Sequence, residues 1–122
     1  MIVLDSSAAL AWALDDEQGL GPDLLETIAV ETGIVPAHWV LEVANGLRMA
    51  ARRNRLQLQE PPEVLKRIRC LPLQIDYETP ARGWLEIPAL AQQYNLTTYD
   101  AAYLELALRL GIPLATLDQS LA

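Results

Sequence analysis

Four acidic residues stand where an apolar core would not accept a lone charge: Asp5 in IVLDSS, Glu42 in WVLEVANGL, Asp100 in LTTYDAAYLELA and Asp118 in LATLDQSL. Desolvating an unpaired carboxylate is costly, so buried carboxylates gather around something positive. A divalent cation is the simplest candidate. One histidine and one cysteine, His38 and Cys70, exclude zinc sites of the Cys/His kind. No nucleophile elbow accompanies Ser6 or Ser7, and no glycine-rich phosphate loop is present. Hard oxygen ligands remain, and these suit Mg²⁺ or Mn²⁺. Carboxylate-held ions of this kind activate water and neutralise a phosphate, so the implied chemistry is phosphodiester hydrolysis.

Each acid also has an ordinary reading. Asp5 and Asp118 each follow an apolar run and could cap a helix. Glu42 falls opposite the stripe Val40, Val43, Ala44, Leu47 and Ala51, on a second, nearly uncharged wall with Asn45, Gly46 and Met49. Asp100 heads the stripe Tyr103, Leu104 and Ala107; a favourable helix-start charge explains an acid there but not one on the apolar side. Polar companions lie close in sequence. Ser6 can cap the first helix or hold a water or phosphate oxygen, Asn45 can orient Glu42, and the Thr116 hydroxyl can support Asp118. Asp76 and Glu78 are weaker outsiders. Asp15, Asp16 and Glu17 read as a solvated helix end, and His38 as a partly buried residue rather than a ligand.

The elements that must position these residues alternate. Short apolar strands are expected at 2–5, 34–36, 71–76 and 112–116. Helices are expected over 7–16, after a Ser6 or Ser7 cap, then over 22–31, about 38–54, 62–71, 79–93 and 99–110. Pro88 should kink or split the fifth of these, Thr97 or Thr98 should cap the last, and Gly111 should stop it. Strand–helix alternation predicts an α/β fold with a short, mostly parallel sheet between helix layers. Sites in such sheets form beyond the carboxyl ends of strands, which puts Asp5 and Asp118 on one edge.

The chain has 122 residues, 52% of them hydrophobic, which fits one domain with a real core. The opening MIVLDSS carries no signal-peptide pattern and no apolar stretch is long enough to span a membrane, so the cytoplasm is the expected compartment. A net charge of −7 argues against a polyanion partner, but seven of the nine basic residues fall at Arg48, Arg52, Arg53, Arg55, Lys66, Arg67 and Arg69. That segment is either a nucleic-acid footprint, with Arg48, Arg52, Arg53 and Arg55 as its core, or a solvated helix face. Trp12, Trp39 and Trp84 are expected in helices that leave apolar surface for a partner.

These pieces together resemble the PIN-domain nucleases, and among them the VapC-type toxins of bacterial toxin–antitoxin pairs. The resemblance rests on IVLDSS, PAHWVLEVANGL, LTTYDAAYLELA and GIPLATLDQSL, in family order and spacing across the whole chain. It implies a three-layer α/β/α fold with a sheet of four or five strands. Asp5, Glu42, Asp100 and Asp118 match the family's Mg²⁺- or Mn²⁺-binding catalytic quartet, and Ser6, Asn45 and Thr116 its polar companions. It further implies an RNA substrate, neutralisation by an antitoxin, and a homodimer or higher oligomer. Such domains usually continue past the last acid through a short helix and an edge strand, so a single domain over 1–122 is expected to lack that strand. Two other readings stay open. One is a catalytically silent PIN-like binding module. The other is an aspartyl-phosphate phosphotransferase of the haloacid-dehalogenase or receiver kind. The first of those two needs a second Asp where Ser7 stands, both use a late lysine, and Lys66 is the sole lysine.

Overall fold

The β-branched residues of Ile2–Leu4 (β1) and the Gly33–Pro36 segment (β2) are buried on both faces, as in a parallel sheet covered by helices. A computed structural model describes residues 1–13, 28, 30–53, 61–116 and 121. Leu73–Asp76 (β3) and Leu114–Ala115 (β4) complete a four-stranded sheet of order β3-β2-β1-β4, parallel throughout. Val3 pairs with both Ile34 and Leu114, so β1 lies inside the sheet and its end is flanked on two sides.

The described helices are Ser6–Ala13 (α1), Trp39–Arg52 (α2), Pro61–Arg69 (α3), Thr79–Arg82 (α4), Glu86–Tyr94 (α5) and Thr98–Leu110 (α6). Helices flank the sheet. α6 packs on β1, β2 and β4, with α5 behind it, while α1, α2 and α3 pack on one another. Val3, Leu4 and Val35 of the sheet meet Ala8 and Ala9 of α1, Val43 and Leu47 of α2, and Tyr103 and Leu106 of α6 in one core. A second cluster of Ile87, Ala91, Ala101 and Ala102 joins α5 to α6, its small residues allowing close approach. Gly46 brings α2 against α1: a Cβ there would stand 2.4 Å from Leu10 Cδ1. None of the described helices is long and apolar enough to cross a membrane.

Three expectations change in detail. The buried stripe of α2 is Trp39, Val43, Leu47 and Ala50; Val40 is half-exposed, because α2 turns Trp39 rather than Val40 into the core. The expected 79–93 helix is split at 83–85, and Pro88 lies in the first turn of α5, where a missing N–H leaves no hydrogen bond unmade. Trp84 therefore sits in a turn, 88% exposed, rather than in a helix. Thr97 caps α6 by accepting from the Asp100 N–H, and Gly111 ends it in the left-handed conformation, both as expected. The expected 22–31 helix, apart from helical positions Ile28, Val30 and Glu31, and the acids Asp15, Asp16 and Glu17 lie outside the described residues.

Candidate active site

The carboxyl edge of the sheet gathers the ends of three strands around Asp5. β1 ends at Leu4, and Asp5 continues it by donating its N–H to the Ala115 carbonyl of β4 at 3.0 Å. Asp5 is 3% exposed. One oxygen, Oδ1, accepts from the Ser7 N–H at 3.0 Å and from the Ser6 hydroxyl at 3.3 Å. The other, Oδ2, accepts a short hydrogen bond from the Thr116 hydroxyl just beyond β4. Asp5 is thus itself the N-cap of α1, where Ser6 or Ser7 was expected, because its Oδ1 reaches the second helical N–H. Thr116 supports Asp5; Asp118, which it was expected to support, lies outside the described residues.

Glu42 stands across from Asp5 on α2. The Tyr103 hydroxyl donates to Glu42 Oε1 in a short hydrogen bond. His38 Nε2 comes within 3.0 Å of the same oxygen from one turn earlier, a close electrostatic contact without donor–acceptor alignment. Burial pushes the Glu42 carboxyl up, but the contacts from His38 and Tyr103 outweigh it and hold Glu42 below its ordinary value. Tyr103 is fully buried. Burial first, then the Glu42 hydrogen bond and charge, push its hydroxyl far up, with a smaller upward push from Asp5 and an opposing one from a Ser6 hydrogen bond. The Tyr103 hydroxyl therefore stays a proton donor and links the Asp5–Ser6 side of the cluster to Glu42. The His38 ring meets Tyr103 edge-on at 5.3 Å.

Asp100 is half-buried in the first turn of α6, three residues before Tyr103. Asn45 is exposed, on the solvent side of α2. Among the described residues no three acids, histidines or cysteines stand close enough to share one metal ion. The donor chemistry nevertheless suits a hard divalent cation. The described side-chain partners of buried Asp5 are neutral hydroxyls, and Glu42 adds a second carboxylate to the same cluster.

The basic segment divides into two roles. Arg48 and Arg52 are exposed and line a shallow cavity of about 380 Å³ with Ala44 and Ala51, and Arg53 is exposed at the end of α2. Arg55 lies outside the described residues. Arg67 instead docks α3 on α1, its guanidinium 5.6 Å from the Trp12 ring centroid and donating to the Ala13 carbonyl at 3.5 Å.

A second charged cluster was not foreseen. Arg109 of α6 bonds Asp76 at the end of β3 at 2.6 Å, Glu105 one turn back at 2.9 Å and Glu78 at 3.1 Å. Asp76 and Glu105 are buried. Burial pushes Asp76 up, but the Arg109 hydrogen bond, the Glu78 N–H, the Arg109 charge and the Thr79 hydroxyl together bring it below its ordinary value. These two carboxylates are compensated by Arg109, whereas no described side chain pairs a positive charge with Asp5. The signal was Glu105 and Arg109 at i, i+4, which reads in sequence as a surface pair.

The family profile of the PIN domain matches residues 2–122. Ribonuclease VapC9 of Mycobacterium tuberculosis is 37% identical over 122 residues, covering 100% of the chain and 89% of the relative. Ribonuclease VapC12 of the same organism is 34% identical over 126 residues, covering 100% and 90%. Ribonuclease VapC3 of Pyrobaculum aerophilum is 31% identical, covering 99% and 92%. The crystal structure of PAE2754 from Pyrobaculum aerophilum superposes with a TM-score of 0.71 over 98% of the chain and 81% of that protein, at 24% identity.

Proposed function

The chain belongs to the PIN-domain family and, within it, to the VapC group; from that premise we propose that it is a metal-dependent endoribonuclease of one domain over residues 1–122, a toxin held in check by an antitoxin. The observation that carries this reading is the buried Asp5 carboxylate, supported by neutral donors and facing Glu42 through Tyr103. A buried carboxylate whose described side-chain partners are neutral, beside a second carboxylate, calls for a cation. Asp5, Glu42, Asp100 and Asp118 would hold Mg²⁺ or Mn²⁺. Bound there, the ion would activate water and offset the charge of a phosphodiester.

The chain's own residues prepare the site. Thr116 and the start of α1 fix both Asp5 oxygens in orientation. Tyr103 and His38 engage one Glu42 oxygen, Oε1. Ser6 stands beside Asp5, where its hydroxyl can hold a phosphate oxygen. Arg48, Arg52, Arg53 and Arg55 would attract the RNA backbone, so binding should weaken with salt. Exposed Trp84 and Leu85 support self-association as a homodimer or higher oligomer, or antitoxin contact.

The test is cleavage of RNA with Mg²⁺ or Mn²⁺ by the parent, Asp5→Asn and Asp100→Asn. Cleavage by the parent alone is expected, and equal activity in all three removes the mechanism. A binding module without catalysis would show no cleavage by any of them.

A further inference from the structure

We propose that the cavity between His38 and the first turn of α6 receives one unpaired nucleobase of the RNA substrate, next to the phosphate that is cut. It rests on the ribonuclease activity proposed above and adds a recognition subsite to it. The cavity holds about 260 Å³ and is lined by His38, Thr79, Ile87, Thr98, Tyr99 and Ala102, among others. Two aromatic rings in contact form one side of it: the His38 and Tyr99 centroids are 5.8 Å apart and tilted by 45°, so a base would stack on the outer face of Tyr99 rather than between the two. Ile87 and Ala102 are buried and give it an apolar floor.

Tyr99 is 62% exposed, so its ring adds little to the core, and tyrosine is no better than a middling helix former. Folding alone gives no reason for it at this position. An exposed aromatic face does suit a base, since single-stranded RNA is held largely by stacking on aromatic side chains. The Thr79 hydroxyl is already committed, accepting from the Ala37 N–H and donating to Asp76. The Thr98 hydroxyl at α6's start is another polar group in the lining that a base edge could meet.

The position relative to the acids selects a nucleotide over a protein side chain. His38 forms the wall of this cavity and also stands 3.0 Å from Glu42 Oε1. Asp100 is in the same first turn of α6 as Tyr99, but successive helical side chains point about 100° apart. An occupant touching the His38 ring thus lies one side chain away from Glu42. That is the separation expected between a base and its own phosphate. A neutral base also enters beside these carboxylates without the repulsion an acidic peptide would meet.

The experiment uses the parent, Tyr99→Ala and Tyr99→Trp with Mn²⁺ and single-stranded oligoribonucleotides. Each oligonucleotide is scanned with one abasic nucleotide around the cleaved bond. At one position, loss of the base is expected to lower the parent's kcat/KM about ten- to a hundredfold. Tyr99→Ala should lose as much on the intact oligonucleotide and nothing further on that abasic one, and Tyr99→Trp should keep the parental rate. A 2-aminopurine at that position should be quenched on binding to the parent but not to Tyr99→Ala. Melting of Tyr99→Ala should match the parent, since the ring is exposed.

The subsite is overturned, with the ribonuclease reading intact, if Tyr99→Ala cuts every oligonucleotide as the parent does. It is also overturned if Tyr99→Ala loses the same factor on intact and abasic substrates. Unchanged cleavage with weakened binding of an antitoxin would assign the cavity to a protein instead. If the parent cuts no RNA with Mn²⁺, the ribonuclease reading fails and the subsite with it.

Discussion

Replacing Arg109 with methionine keeps most of the side chain's length and removes the cation that three acids share. Asp76 and Glu105 are 8% and 7% exposed at their side chains, and Arg109 is 15% exposed. Glu78, 63% exposed, stays solvated and adds little. Removing one partner of a buried ion cluster leaves its carboxylates uncompensated, which costs about 3 kcal/mol or more. A chain of 122 residues should lose roughly 3–5 °C of Tm per kcal/mol, so Arg109→Met is expected to melt about 9–15 °C below the parent at pH 7. The loss should be electrostatic rather than steric. The triple variant Arg109→Met, Asp76→Asn, Glu105→Gln should therefore recover most of it. The sign with pH follows. In the parent, Asp76 has a folded-state pKa below its ordinary 3.8, so its contribution is present above about pH 4 and lost as pH falls through the lower folded value. In Arg109→Met the guanidinium hydrogen bond and charge are gone, so burial pushes the Asp76 pKa up against only the Glu78 N–H and the Thr79 hydroxyl. The variant's deficit relative to the parent should then shrink as pH is lowered from 7 to 5. Thermal melting by circular dichroism across that range measures all three effects. An Arg109→Met protein melting within about 2 °C of the parent at pH 7 would refute the reasoning.

Tyr103→Phe keeps the buried ring and removes the donor to Glu42 Oε1; Mn²⁺ affinity by calorimetry should fall about tenfold, for a folding cost of about 1–2 kcal/mol, and unchanged affinity would deny Tyr103 its positioning role. Thr97→Ala removes the cap of the helix that carries Asp100 and Tyr103; it should cost about 1 kcal/mol in urea unfolding, while Thr97→Ser should stay near the parent. Salt titration of RNA binding should show a steeper slope for the parent than for the double variant Arg48→Gln, Arg52→Gln, and equal slopes would remove these arginines from the interface.

Much of this arrangement was legible before any coordinates. Asp5 and Asp100 stood out because a carboxylate interrupted an apolar period, and strand–helix alternation placed Asp5 at the sheet's carboxyl edge. Tyr103 was seen but read as packing, because a tyrosine in a buried stripe looks the same whether or not its hydroxyl meets a carboxylate 61 residues away. The Arg109 cluster escaped for the same reason: Asp76 lies 33 residues from Arg109, and only the docking of α6 on the sheet joins them. Thr116 was read only with its near neighbour Asp118, which lies outside the described residues, and its hydrogen bond to Asp5, 111 residues away, was missed because β1–β4 pairing creates it. Chain-local signals are visible in sequence; partners chosen by sheet order are not.

The metal site is tested most directly by anomalous scattering from crystals of the parent grown with Mn²⁺. The expected result is a peak among the carboxylates of Asp5, Glu42, Asp100 and Asp118, at about 2.0–2.2 Å from their oxygens. A well-ordered structure with no peak among these four residues, or with its only peak elsewhere, would contradict a metal-dependent active site here.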